Sequence, residues 1–293
     1  MSSILTNTAA TSALHALRSI NDDLATTQNR ISTGLKVESA KDNAAAFSIS
    51  ETMKSDNAMY AAIDEGLTQT KNSVSTARAG AEAVLDFSSQ IAERVAFAQA
   101  EGVDRDKVQE EISGLVKQIE TTISQATFNG NDLVNAEGMA TPPTEDYTAD
   151  PSGGATITAV TGISRAGGNF ETTSIEVNGA DLAQIAANMK AIDITGGLDA
   201  TAMATQLQNA ETTVGFVNEM ATSLGVAEKS IENQQDFLKT LTANIDEGIG
   251  KMVDANMEEE AARLKSLQTQ QQLSNQSLSI ANNAPQQLLS LFR

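Results

Sequence analysis

The sequence feature that most constrains the fold is a long apolar heptad in the first half of the chain. Seam residues recur at alternating steps of three and four over ten positions, eight of them apolar. No proline lies between Lys41 and Ala98. This spacing predicts one helix of about 50 residues, about 80 Å long, with a thin apolar seam. Such a helix is not stable alone, so the sequence predicts a bundle. The ten positions are Leu67, Thr70, Val74, Ala77, Ala81, Val84, Ser88, Ile91, Val95 and Ala98.

Two further seams supply partners for this helix. Glu101-Gly102 stops the first helix, and Asp104 is the expected N-cap of a second one that carries Val108, Ile112, Leu115, Ile119 and Ile123. Helices joined by a short turn pack antiparallel, and a third helix returning along them buries its seam best. The third seam consists of Leu207, Ala210, Val214, Val217, Ala221, Leu224, Ile231, Leu238, Ile245 and Met252.

Residues 136–204 differ in character from the helical segments on either side. Every proline except Pro285 lies there, together with three Gly-Gly pairs. Runs at 155–160 and 173–177 have the alternation of strands, and 181–191 has the spacing of a short helix. The sequence therefore predicts a small separate module of mixed structure.

Together these segments predict a mainly α fold. We expect a long antiparallel helical bundle or coiled coil built from both chain ends, with a small α+β outer domain inserted in the middle. The predicted divisions are an inner layer from 1–40 with 255–293, an elongated bundle from 41–135 with 205–254, and a surface-exposed insert at 136–204.

The two chain ends have helical spacing but weak seams. Gln28 and Gly34 interrupt the N-terminal seam, and glutamine and asparagine fill much of the C-terminal one. A monomer gains little by burying such surfaces, so we predict that the ends are disordered in the free monomer and order against other copies. The expected subunit-packing residues are Leu14, Leu17, Ile20, Leu24, Ile31, Leu35, Leu264, Leu267, Leu278, Leu288 and Leu291.

Charge is distributed unevenly along the chain. The formal net charge is -19, yet residues 1–40 and 255–293 each balance three basic against three acidic groups. Neutral ends and an acidic middle suit a polymer subunit whose ends pack together while its middle faces water. Nucleic acid is excluded as a partner, since phosphate binding needs a basic patch.

Composition also argues against catalysis. The chain has no cysteine and one histidine, His15, so thiolate metal sites and cysteine nucleophiles are excluded and a histidine triad is disfavoured. Asp104, Asp106 and Glu110 lack the spacing of a calcium loop. No catalytic residue, cofactor or metal is expected, and neither a signal peptide nor a membrane-inserted helix is evident.

Two terminal motifs resemble those of one known family. Arg30–Ser50 reads RISTGLKVESAKDNAAAFSIS, Ala281–Arg293 reads ANNAPQQLLSLFR, and Phe128-Asn129-Gly130 lies before the variable middle. These segments resemble the signatures of bacterial flagellins, over roughly 1–135 and 205–293. The resemblance implies a secreted subunit that polymerises into the extracellular flagellar filament used for swimming. A hook-filament junction protein and a coiled-coil adaptor stay open as alternatives.

The resemblance also implies a radial arrangement and partners. The end segments would form the innermost coiled-coil layer around the filament channel, with Gln271, Gln272 and Gln276 lining a polar wall that would not bind apolar segments in transit. The implied partners are further copies of the chain, a flagellar export chaperone, and cap and hook-junction proteins. Export would use the flagellar type III apparatus without a cleaved signal peptide.

Overall fold

The computed structural model describes residues 7–129, 132–134, 146–147, 155–164 and 171–290, with side chains described up to 283. These residues form the mainly helical fold that the sequence predicts, with a small two-stranded sheet between the helical ends. Five of its six helices come from the predicted seams and chain ends. The elements are α1 Thr8–Thr33, α2 Ala44–Phe97, α3 Arg105–Gln125, β1 Thr156–Ser164, β2 Glu171–Asn178, α4 Leu182–Lys190, α5 Ala200–Val253 and α6 Met257–Ser290.

The chain divides into two compact units. The first unit comprises Met1–Asn57 and Ala243–Arg293, and the second comprises Ala58–Thr242. Both boundaries fall inside the 54-residue helices α2 and α5, which therefore contribute residues to each unit.

In the first unit, α1 and α6 pair antiparallel along their length. The Asn7 amide donates to the Ala281 carbonyl over 2.8 Å at one end, and Arg30 contacts Glu260 over 3.2 Å at the other. Asn7 also caps α1, because its side-chain oxygen accepts from the Ala10 N–H.

A short bridge, which we call the clasp, joins the turns at residues 34–37 and 253–255. Gly34 ends α1 with φ +75, a left-handed conformation that glycine adopts without strain. The Lys36 and Val37 N–H groups both donate to the Val253 carbonyl, and the Ala255 N–H donates to the Gly34 carbonyl. The sequence predicts a helical seam that continues to Leu35. This is wrong for Leu35, because α1 ends at Thr33 and Leu35 lies beyond it. It packs instead beside a small core of Val37, Ile249 and Val253.

In the second unit, the predicted heptad of α2 forms the centre of the core. Nine of its ten positions are buried and Thr70 is half-buried. The seams of α3 and α5 face it, with Ile112, Ile119, Leu224 and Ile231 essentially inaccessible to solvent. Asp104 caps α3 as predicted, by accepting a hydrogen bond from the Lys107 N–H. Burial on this scale, worth about 1.5–3 kcal/mol for each large side chain, stabilises the three helices together.

The described part of the middle segment adopts the predicted strands and short helix. β1 and β2 pair antiparallel with a bulge between Val160 and Gly162. The insert also contributes side chains to the core of the second unit. Leu182, Ile185 and Met189 of α4 belong to the same apolar cluster as α2, α3 and α5. The prolines and Gly-Gly pairs at 142–168 lie outside the described residues.

Side-chain amides attach this segment to its neighbours. Gln109 of α3 donates to the Ile192 carbonyl and accepts from the Ile194 N–H, so one side chain satisfies the hydrogen bonding of two main-chain groups. Asn188, fully buried on α4, likewise bonds both main-chain groups of Asp146. Buried backbone groups without strand partners are satisfied in this way.

Two glycines of α2 are expected to respond in opposite ways to substitution by alanine. A Cβ on Gly80 would lie 2.5 Å from the Ala126 Cβ, whereas a Cβ on Gly66 meets nothing within 4 Å. We expect Gly80→Ala to destabilise the monomer by about 1–3 kcal/mol through overpacking. Gly66→Ala, the matched control, should stabilise it by about 0.5–1 kcal/mol through helix propensity. Denaturant unfolding measures both, and a Gly80→Ala chain as stable as the original would contradict the packing described.

Candidate functional site: the α1–α6 helix pair

The predicted subunit-packing residues divide between two sides of the pair. Leu17, Ile20, Leu24 and Ile31 of α1 are half-buried against α6, while Leu14 is 38% exposed and lies outside the contact. On α6, Leu264 and Leu278 are half-buried and Leu267 is buried. Leu288 lies in the part of α6 whose side chains are not described, and Leu291 lies outside the described residues.

The seam of α6 follows a strict heptad, and most of its residues are polar or small. The residues turned toward α1 recur at steps of four and three. Among the side chains of α1 and α6 that the structure describes, only Thr27, Glu260 and Leu267 are buried. Sequence reasoning noted the amides of this helix but did not assign them a heptad phase, which the steps of three and four would have given. The seam positions are Glu260, Leu264, Leu267, Gln271, Ser274, Leu278 and Ala281.

One ion pair lies within this seam. Glu260 is 6% exposed, and its Oε1 accepts from the Arg30 guanidinium over 3.2 Å. Its Oε2 is buried with no hydrogen-bond partner among the described residues. A buried carboxylate with one cationic partner and one oxygen that accepts no hydrogen bond contributes more to the alignment of α1 with α6 than to the free energy of folding.

The three channel-lining candidates do not share one face. Gln271 is half-buried in the seam and its amide donates to the Asn21 side-chain oxygen over 2.7 Å, and its assignment to the channel wall stays a prediction. Gln272 and Gln276 are exposed on the side of α6 away from that contact. Their assignment to the channel wall stays a prediction.

Large apolar side chains remain on the outer faces of the pair. Leu273 is 59% exposed and Ile280 is 67% exposed. Ordering the backbone costs about 1–2 kcal/mol per residue. Among the described side chains of the pair, Leu267 is the one buried leucine, and the others are half-buried or exposed. The arrangement therefore lacks the burial that a helix pair needs to be stable on its own.

A second cluster of charges lies between α2 and α5 in the second unit. Glu232 pairs with Lys71 at 2.7 Å and with Lys229 at 2.9 Å, and the hydrogen bonds from both ammonium groups lower the pKa of Glu232 to about 2. Arg78 pairs with Glu228 and with Glu82, and these bonds raise the pKa of its guanidinium. The groups line an open groove of about 490 Å³. All of the ions are paired, which fixes the register of the two helices.

The described residues do not bring a catalytic or metal-binding constellation together. His15 is exposed on α1, and the part of the chain that the structure describes contains no cluster of three histidine, aspartate or glutamate residues that could hold a metal ion. Among the same residues, no helix combines the length and apolar character needed to cross a lipid bilayer.

Paired end helices that leave large apolar side chains exposed are typical of one class of protein, the structural subunit that associates with other copies of itself.

Comparison with known proteins identifies the family. The chain matches the bacterial flagellin N-terminal helical region over residues 4–138 and the C-terminal helical region over 207–292. It is 36% identical to a flagellin of Brucella melitensis and 35% identical to flagellin C of Rhizobium meliloti, with all of each chain covered. A Bacillus cereus flagellin of known structure aligns with 59% of this chain over 88% of its own length, with 15% identity and a TM-score of 0.41.

The chain belongs to the bacterial flagellin family. It is a structural subunit that polymerises into the extracellular flagellar filament used for motility, and it is not an enzyme. Full-length similarity to flagellins disfavours the hook-filament junction and adaptor alternatives.

The ion pairs of Glu232 make a pH-dependent contribution to stability. Because the pKa of Glu232 falls from 4.5 to about 2 on folding, its contribution is complete above the unfolded value and is lost as the pH falls from about 4.5 to 2. We expect Glu232→Gln to lower the Tm of the monomer at pH 7, and this difference to vanish toward pH 2. Glu211→Gln, an exposed change on the same helix, is the matched control. A Tm difference independent of pH would contradict the assignment.

Proposed function

We propose that residues 1–40 and 255–293, which contain α1 and α6, form the innermost layer of the filament and surround its channel. In this arrangement residues 41–135 and 205–254 form the next layer, and 136–204 face outward. The observation that carries the proposal is the outer surface of the α1–α6 pair, where Leu14, Leu273 and Ile280 are exposed on helices with little burial between them. Side chains of other copies would supply the missing apolar contacts.

Charge supports the same arrangement. The end segments have no net charge, whereas the whole chain carries -19. In a helical polymer the innermost layer is the most crowded, so like charges there would repel most strongly. A chain with neutral ends and an acidic middle avoids that repulsion.

The roles of individual residues follow from their places on the pair. Leu17, Ile20, Leu24, Ile31, Leu264, Leu267 and Leu278 would hold α1 to α6, while Leu14, Leu288 and Leu291 would contact neighbouring copies. Leu35 would act in the clasp. Gln271, Gln272 and Gln276 would line the channel, where their uncharged amides would bind passing unfolded chains only weakly.

Family membership also suggests partners beyond the chain itself. We include among these partners a flagellar export chaperone, the cap and the hook-junction proteins, with export through the flagellar type III apparatus. A weakly packed end helix fits a chaperone client, because its apolar side chains are available before assembly.

Seeded polymerisation tests the proposal. Monomer is added to filament fragments and growth is followed by electron microscopy for the full chain, for a chain lacking 255–293, and for Leu273→Asp. We expect the full chain alone to extend the seeds, because an exposed apolar residue that packs against another copy does not tolerate a charge. Leu273→Met is the matched control and should grow normally. Equal growth of the truncated chain would contradict the role proposed for the ends.

A further inference from the structure

The core beside the clasp is small, and methionine side chains pack against it. Its buried residues are Val37, Ile249 and Val253, and Met53 of α2 and Met252 of α5 lie against them. Two of the buried residues form the clasp itself, because the Val37 N–H donates to the Val253 carbonyl over 3.2 Å. Any change in this core therefore acts directly on the clasp.

The side chain of Met53 extends from α2 to α5. Its methyl carbon Cε lies 3.9 Å from the position that a Cβ on Gly248 would take, so the glycine leaves room for the methionine. An unbranched thioether fills irregular space of this kind well. Met53 and Met252 are both half-buried, and solvent therefore reaches part of each side chain.

Composition makes methionine the residue of this chain that is most readily oxidised. The sequence has nine methionines, no cysteine and no tryptophan. A mild oxidant such as hydrogen peroxide therefore reacts mainly with thioether sulfur, which it converts to the sulfoxide.

Burial separates the described methionines into groups. Met257 is 46% exposed and belongs to neither buried cluster. Three others, at most 4% exposed, lie inside the core of the second unit: Met189, Met203 and Met220. Among the methionines that the structure describes, Met53 and Met252 are the two that combine access to solvent with contact to a buried cluster.

We propose that Met53 and Met252 form an oxidation site, at which peroxide outside the cell converts the thioethers to sulfoxides and weakens the clasp. The filament is extracellular, so its subunits meet oxidants that the cytoplasm removes. The inference goes beyond the proposed function, and it does not depend on which layer of the filament the end helices occupy.

The reaction needs hydrogen peroxide as its one co-reactant. A lone pair of the methionine sulfur attacks one peroxide oxygen, so an S–O bond forms while the O–O bond breaks. The sulfur is oxidised by two electrons and the peroxide is reduced. The second oxygen leaves as hydroxide and takes the proton of the transferred hydroxyl, which gives sulfoxide and water. A methionine sulfoxide reductase reverses the change.

The sulfoxide does not fit the clasp core. Its polar oxygen needs a hydrogen-bond donor when it is removed from water. The apolar side chains that share this core offer none: Leu35, Ala46, Phe47 and Ile245. The oxidised side chain therefore either moves out into solvent or stays without a donor. A core with three buried residues has little other burial to offset the loss.

Peroxide treatment of assembled filaments tests the site. Oxidation at each methionine is followed by peptide mass spectrometry, and exchange of the clasp amides by hydrogen-exchange mass spectrometry. We expect Met53 and Met252 to be oxidised at least about tenfold faster than the three inaccessible methionines. The amides of Lys36, Val37 and Ala255 should then exchange at least about tenfold faster than before treatment.

Leucine variants show whether these two sulfur atoms cause the response. Leucine has nearly the volume of methionine and is not oxidised by peroxide. In filaments of the doubly substituted chain, Met53→Leu with Met252→Leu, the clasp amides should exchange at the same rate before and after peroxide. Each single variant should lose part of the response, which keeps the test available if the double variant does not assemble. Met257→Leu, the matched control, should respond like the original chain.

Three results would overturn the proposal. The first is filaments in which Met257 is oxidised while Met53 and Met252 are not. The second is complete oxidation of Met53 and Met252 with no change in the exchange of the clasp amides. The third is a response of the leucine-substituted filaments as large as that of the original chain.

Discussion

The fold depends on the burial of thin apolar seams along very long helices. α2 runs for 54 residues, and a helix of this length has too little intrinsic stability to persist in water by propensity. In the second unit, Val74, Val84 and Ile91 are completely buried because α3 and α5 bring matching seams against them. Where a seam finds no such partner within the chain, another copy must supply one.

The contrast between the two helix pairs gives the protein its function. Both pairs use steps of three and four, yet nine of the ten α2 seam positions are buried, whereas most of the described seam positions of α1 and α6, leucines included, are only half-buried. One chain thus contains a well-buried helical bundle and a weakly buried helix pair. We propose that the second unit is folded in the free monomer, whereas the end helices become fully ordered only against other copies.

Sequence alone predicted the elements whose signal is periodic. The presence and order of the long helices, the cap at Asp104 and the approximate places of both strands followed from spacing and turn chemistry. The clasp could not be predicted, because main-chain hydrogen bonds between residues 34–37 and 253–255 leave no mark on residue type. The shared core of α4 was missed for a related reason, since Gly-rich flanks indicate a boundary even where the helix between them packs inward. The hydrogen bond from Gln271 to Asn21 was not anticipated, because the heptad phase of the α6 amides was not assigned.

Amide hydrogen exchange, compared between free monomer and filament, tests the central claim most directly. The account predicts rapid exchange across α1 and α6 in the monomer and strong protection of the same amides in the filament. The buried seam of α2 should be protected in both states, because its partners lie in the same chain. Protection of α1 in the monomer equal to that of α2 would contradict the claim that the end helices owe their order to neighbouring copies.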